Sequence, residues 1–215
     1  MKPHRWFAVL LLFVLSVPAQ AQGKFFIGAT GGLSRMSLSG DTPDDASYTA
    51  KTGFSAGLIG EYALTADIHL SLQPSYISRG TGVAYDVGEA DPRDSLSLRL
   101  DYLSVPVMAR FLSAGGFWFV NGGFDLSFLL DASLEDVNAG GTRDVTSALN
   151  RVDLMMLVGV GGIVNADPVR ITLELRFSQG LINAGSGEQL SEAYGIPTRF
   201  RYSGFQLLVG VILPL

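Results

Sequence analysis

Apolar and polar residues alternate with a period of two along most of this chain, the spacing that sends successive side chains to opposite faces of a β-strand. The first such segment, about 24–34, sets Phe25, Ile27, Ala29, Gly31 and Leu33 on one face. The second, about 53–64, opposes Phe54, Ala56, Leu58, Gly60, Tyr62 and Leu64 to Ser55, Gly57, Ile59, Glu61 and Ala63. The third, about 67–79, opposes Ile68, Leu70, Leu72, Pro74 and Tyr76 to His69, Ser71, Gln73, Ser75 and Arg79. The fourth, about 96–111, begins with Leu96, Leu98, Leu100 and Tyr102 against Ser97, Arg99 and Asp101. Its phase slips at Leu103-Ser104-Val105-Pro106, which predicts a bulge there because proline has no N–H for the ladder. Four more follow at about 117–130, 152–164, 169–179 and 200–213. The cleanest runs from Val169 to Phe177, with Arg170, Thr172, Glu174, Arg176 and Ser178 on its polar face.

The connections between these eight segments alternate in length. Thr65-Ala66, Leu112 to Gly116 and Asn165 to Pro168 are tight, whereas 35–52, 80–95, 131–151 and 180–199 are long and rich in Gly, Ser, Asp and Asn. An even number of antiparallel strands with tight turns at one end and long loops at the other describes an outer-membrane barrel. The expected fold is therefore all-β, an eight-stranded antiparallel up-and-down transmembrane β-barrel spanning 22–215.

The preceding residues, 1–21, read as a cleaved secretory signal peptide. Lys2, His4 and Arg5 precede an apolar run from Trp6 to Val17, and Ala19 and Ala21 supply the small residues of a cleavage site. That run is too short to span a bilayer as a helix. Removing 1–21 leaves 13 basic against 20 acidic residues, a balance that excludes a phosphate-backbone partner such as nucleic acid. Charged residues are only 16% of the chain, and the absence of cysteine excludes a disulfide framework or thiolate metal site.

Alternation alone does not say which face is outside, and a soluble barrel with its apolar face inward has the same period. Two features oppose it. Glycines crowd the polar face (Gly57, Gly123, Gly159, Gly161, Gly210), which suits a cramped interior better than a solvated exterior. Aromatics gather near segment ends on the apolar face (Phe25, Phe54, Tyr62, Tyr76, Trp118, Phe177, Phe205), as interfacial girdles do.

Four stretches carry a family resemblance: Lys51-Thr52-Gly53-Phe54-Ser55-Ala56-Gly57, Tyr76-Ile77-Ser78-Arg79-Gly80, Leu100-Asp101-Tyr102-Leu103-Ser104-Val105-Pro106-Val107 and Arg176-Phe177-Ser178-Gln179-Gly180-Leu181-Ile182-Asn183. Together they resemble the PorT-like outer-membrane β-barrel proteins, often labelled porin-family proteins. The resemblance implies an eight-stranded barrel without enzymatic activity, some of whose relatives assist protein secretion across the outer membrane. The chain departs from the usual aromatic terminal residue by ending on Leu213-Pro214-Leu215.

The polar face holds Glu61, His69, Arg79, Arg99, Asp101, Asp125, Asp153, Arg170, Glu174 and Arg176. Eight strands enclose barely enough space for side chains, so these mixed charges are expected to pair as a plug rather than line a filter. His69 is the only histidine after residue 21, with Ser71 two positions away on the same face. It falls at the short-turn end, the wrong side for an outer-leaflet acyl hydrolase, and reads as a satisfied lumen residue. The acidic clusters Asp41/Asp44/Asp45, Asp86/Glu89/Asp91/Asp94 and Asp131/Glu135/Asp136 lack EF-hand spacing and read as solvated loop charge. Gly159-Val160-Gly161-Gly162 opens no helix and is no phosphate loop. No catalytic, cofactor or metal site is expected. The expected function is that of a non-enzymatic integral outer-membrane barrel, structural or auxiliary to secretion, with a narrow channel for ions or small solutes as the alternative. Its expected partners are outer-membrane lipid and lipopolysaccharide, the barrel-insertion machinery during assembly, and proteins of a secretion system.

Overall fold

The structure is a computed structural model that describes residues 25–40, 46–85, 94–136, 141–183 and 200–215. The signal peptide expected at 1–21 and the clusters Asp41/Asp44/Asp45 and Asp86/Glu89/Asp91 lie outside the described residues. The described strands are β1 (Phe25–Gly40), β2 (Ala46–Ala63), β3 (Ile68–Leu72), β4 (Ser75–Tyr85), β5 (Asp94–Leu112), β6 (Trp118–Asp136), β7 (Gly141–Asp144), β8 (Val152–Ala166), β9 (Val169–Gly180) and β10 (Phe200–Pro214). A short 3₁₀ turn, Thr146–Ala148, lies between β7 and β8.

Each strand pairs antiparallel with its neighbours, and the ladder returns from β10 to β1. The closed wall has eight strands, because β3 and β4 are two halves of one and β7 is a short arm of the long connection above β6. Closure leaves no unpaired edge facing lipid, the condition any sheet must meet in a bilayer. The β3/β4 break falls at Gln73-Pro74, where Pro74 has no N–H to donate. Backbone bonds from Gln73 N to Pro106 O (3.0 Å) and from Leu58 N to Pro74 O (2.9 Å) hold the wall together across it. At the short-turn end, Thr65 Oγ1 accepts the Ile68 amide at 3.0 Å, and Gly116 adopts a φ of 67°, which favours glycine.

Outside, an apolar band girdles the wall. It runs from Phe25 to Leu33 on β1, Phe54 to Tyr62 on β2, Leu103 to Phe111 on β5, Trp118 to Leu130 on β6 and Phe205 to Leu213 on β10, at every second position. At the strand tilt of such barrels the band is roughly 25 Å tall. Aromatic pairs mark its rims: Phe25 with Tyr62 (centroids 4.6 Å apart) at the short-turn end, Phe54 with Tyr76 (5.5 Å) and Phe177 with Phe205 (5.2 Å) at the other.

Two expectations are corrected. The strands run further into the long connections than expected: β2 begins at Ala46, β4 reaches Tyr85, β5 begins at Asp94 and β6 reaches Asp136. And β5 has no slip at Leu103 to Pro106. Its inward positions continue unbroken from Leu98 through Leu100, Tyr102, Ser104, Pro106 and Met108 to Arg110, so Leu98, Leu100 and Tyr102 point into the barrel and Arg99 and Asp101 point out. What changes at Leu103 is the medium outside. Above it the exterior is water, so polar residues take the outer face and apolar ones the inner. The bulge sits across the ladder on β6, where Asp101 pairs with Asp131 and Tyr102 with Leu129, leaving Leu130 extra.

Candidate functional site

Above the band the barrel is filled like a soluble domain. Met36, Leu38, Ile77, Leu98, Leu100, Tyr102, Leu129, Ala132, Leu134, Val145, Leu149, Met155 and Tyr202 form one buried cluster. Within the band the interior sets buried apolar side chains such as Ile59, Met108, Phe119 and Leu208 beside a polar network organised around three arginines.

The upper group centres on Arg79 from β4. Its Nη1 donates to Asp153 Oδ2 and its Nη2 to Asp125 Oδ2 and Ser127 Oγ, each at 3.0 Å. Its guanidinium face lies 4.6 Å from the Tyr102 ring centroid. Asp125 Oδ1 accepts from Ser104 Oγ (2.7 Å) and from the Val105 amide (3.1 Å), which ties the group to the β5 backbone. One cation thus serves two carboxylates.

The lower group centres on Arg110 from β5. Its Nη1 donates to Glu61, its Nη2 to Glu174 Oε2 at 3.3 Å, and its face lies 4.1 Å from the Phe119 ring centroid. Glu174 Oε1 also accepts from Arg176 Nε at 2.7 Å, and Arg176 Nη2 donates to Gln73 Oε1 at 2.7 Å. Gln73 passes the chain on to Ser71 Oγ at 3.1 Å. Both arginines use the same arrangement, with ring against the face and carboxylates against the two terminal nitrogens, while Nε of each is buried without a hydrogen-bond partner. The inner glycines leave the room for it: a Cβ on Gly159 would collide with Asn121 Oδ1, and one on Gly161 with the Phe119 ring.

The lumen is dry at this level. Arg79, Arg110 and Asp125 are each 1% exposed, and Ser71, Ser127 and Ser178 are at 0%; a water-wide passage would leave them accessible. An open pocket of about 460 Å³ enters from the short-turn end, lined by Thr65, Asp67, Ser113 and Asn165 among others. It stops at a stack in which Arg170 lies 4.6 Å from the Phe26 ring and Phe26 lies 5.5 Å from the His69 ring. His69 Nδ1 sits 3.4 Å from Glu61 Oε2, and Ser71 bonds to Gln73 rather than to His69.

Of the expected lumen charges, Glu61, His69, Arg79, Asp125, Asp153, Glu174 and Arg176 meet inside the barrel, and Arg170 closes its lower mouth. Arg99 and Asp101 do not join them: they pair with each other at 3.4 Å on the outer surface, with the Arg99 side chain 57% exposed. Arg110 was missed, because placing Leu98, Leu100 and Tyr102 on the outside shifts it out of the inward series. The unbroken even-numbered series from Leu98 to Arg110 is the signal that finds it. Among the described residues no group of three or more His, Asp or Glu is placed to hold a metal ion.

A closed, lipid-girdled ring with an ion-paired interior is the architecture of an integral outer-membrane β-barrel. The chain belongs to the family described as outer membrane protein beta-barrel domain, which matches residues 19–185. No curated protein matches this sequence. Among solved structures, it is similar to Neisserial surface protein A (14% identity over 89% of this chain and 97% of that one, TM-score 0.48). It is also similar to Ail, the attachment invasion locus protein of Yersinia pestis (12%, 88% and 99%, TM-score 0.46), and to OprG of Pseudomonas aeruginosa (11%, 90% and 97%, TM-score 0.44). In outer-membrane barrels as a class the short turns lie on the periplasmic side and the long connections outside.

Proposed function

We propose that this chain is a non-enzymatic, non-conducting outer-membrane barrel, exported by a signal peptide cleaved after residue 21. In this reading it presents its long connections above the membrane for contact with other proteins, in a structural role or as an accessory to secretion. The observation that carries the reading is the pairing of opposites within the lumen, with the Arg79 and Arg110 groups dry and an apolar core stacked directly above them. A channel needs polar, hydrated walls throughout, and an acyl hydrolase needs a histidine within reach of a nucleophilic hydroxyl. Here His69 faces a carboxylate and an aromatic ring at the periplasmic end. The PorT-like motifs support the secretion-accessory side of the reading.

Single-channel recording on the reconstituted full-length protein tests it. The expected record holds no stable open level at any holding potential. Sustained openings from the wild type would favour the narrow-channel alternative, with the periplasmic pocket as its vestibule.

A further inference from the structure

Arg79, Arg110 and Arg176 each hold a carboxylate inside the barrel. Arg170 does not. It is half-buried with its guanidinium face on the Phe26 ring, and no carboxylate among the described residues lies within ion-pairing distance of it. Glu61 is taken up by Arg110 and by His69 Nδ1. Asp67 and Asp167 stand exposed in the short turns without reaching it.

This unpaired cation lines the open pocket at the short-turn end, whose volume of about 460 Å³ falls in the range of small-ligand sites, roughly 300–1,000 Å³. The strict alternation of β9 turns Arg170 inward, and the ladder sets Asn165 of β8 directly opposite it. With one face on Phe26, the edge of the guanidinium keeps its N–H donors free. Phe26 is in turn stacked on His69, so the fork is held in place before any ligand arrives. Two hydroxyls add to the donors. Thr65 Oγ1 accepts the Ile68 amide at 3.0 Å and Ser113 Oγ the Trp118 amide at 3.3 Å, which leaves each O–H to donate elsewhere. Leu112, Ile163 and Ala63 make the wall partly apolar. Donors around a single cation beside an apolar wall suit an anion with an apolar body. One unpaired arginine, with Asp67 exposed on the same pocket, suits one negative charge better than the two of a phosphate ester.

We propose that this pocket binds a small monocarboxylate, its carboxylate on the Arg170 fork beside Asn165 and its apolar body against Leu112 and Ile163. A guanidinium edge matches the two carboxylate oxygens. The ion-paired lumen above is dry, so the ligand enters and leaves by the same mouth. The site holds its ligand and does not pass it on.

The test uses the full chain, refolded in micelles of an uncharged detergent and checked for heat-modifiable migration. It is titrated with benzoate, with benzamide as the uncharged counterpart, and with inorganic phosphate, while NMR follows the Arg170 Nε–H and the Asn165 side-chain amide. Benzoate is expected to shift both to saturation, and benzamide to leave the Arg170 signal in place. Arg170→Gln is expected to weaken benzoate binding, read at Asn165, about 10-fold. Arg35→Gln, the same loss of charge on the outer face, is expected to leave it unaltered. An unmoved Arg170 signal in the wild type, an equal response to benzamide, or unchanged binding by Arg170→Gln would overturn the site. So would equal loss from Arg35→Gln. The wild-type titration decides even where Arg170→Gln fails to fold. Inorganic phosphate shifting Arg170 at the same concentrations as benzoate would overturn the assignment to a monocarboxylate. Sustained channel openings would strike the non-conducting reading and leave the binding result standing.

Discussion

The barrel has two storeys built on opposite plans. Within the membrane band, Arg79, Arg110, Arg176, Glu61, Asp125, Asp153 and Glu174 point in while Leu, Val and Phe point out. Above it, Met36, Leu38, Leu98, Leu100 and Leu134 point in while Arg35, Arg99, Asp101 and Asp131 point out. β1 and β5 run through the crossing without a break, while β2 and β6 take a bulge there, so along β1 and β5 backbone geometry is not what differs. In lipid, an apolar side chain gains nothing by moving from outside to inside, and the interior is left to polar groups that must satisfy one another. In water the ordinary hydrophobic effect returns, and the inside becomes a core. Alternation supplies two faces, and the medium decides which face is which.

The largest effect is expected from opening the lower storey. Deleting 205–215 removes most of β10, and with it the partners of β1 and β9 within the band. Each backbone group then unpaired in lipid costs several kcal/mol. The truncated chain should give no heat-modifiable species and should be degraded in the periplasm. Its recovery as a heat-modifiable band in outer membranes would show that the ring can close without β10.

Next come the buried ions. Arg79→Ala leaves Asp125 and Asp153 without their shared cation, and should cost roughly 3–5 kcal/mol in denaturant unfolding from micelles. Adding Asp125→Asn and Asp153→Asn to Arg79→Met should recover much of that loss, because an uncharged interior no longer needs the pair. A triple variant as weak as Arg79→Ala would mean that packing, and not charge, governs this level.

Much of this plan was legible in the sequence, and the exceptions have one cause. The run from Val169 to Ser178 gave its two faces directly, because it lies wholly within the band and one medium acts on all of it. The fourth segment crosses from water into lipid near Leu103, so its apolar residues change sides while its backbone does not. Read as one amphipathic strand it slips, with Arg99 and Asp101 inside and Arg110 left out, whereas its phase is constant. The same crossing hid the strand ends. Glycine, serine and aspartate between 80 and 95 and between 131 and 151 resemble loop, yet part of each stretch is wall exposed to water. The pairing partners of Arg79 and Arg110 come from strands distant in sequence, and no local pattern names them.

A smaller effect separates the storeys by what replaces a lost side chain. Leu100 is fully buried in the upper core, so Leu100→Ala should leave a cavity and cost about 2–4 kcal/mol. Leu103, three positions along on the same strand, is 37% exposed and faces lipid. Acyl chains can fill its place, so Leu103→Ala should cost clearly less in the same denaturant series. Equal costs would put Leu103 in a protein-packed setting and move the edge of the band.

The smallest effect is expected at Asp144, which belongs to the upper storey and is fully open to solvent. Its Oδ1 accepts the Thr146 amide at 2.8 Å, and Thr146 Oγ1 accepts the Ala132 amide at 2.9 Å, so the pair latches the β7 turn to β6. Hydrogen bonding from the Thr146 hydroxyl, and then from its amide, holds the Asp144 carboxyl below the ordinary aspartate range. A carboxyl depressed in the folded state stabilises it fully above the unfolded-state value, and that contribution fades as pH falls through the folded-state value. Acidification should therefore loosen this turn, and a change between neutral and alkaline pH should not. The readout is exchange of the Thr146 and Ala132 amides against pH, with Asp144→Asn flattening the dependence. Because the group is exposed and far from the arginines, the temperature at which the barrel loses its heat-modifiable form should not follow that titration. If Asp144→Asn did move it in acid, the turn would be coupled to the ion-paired lumen, and the two storeys would unfold as one.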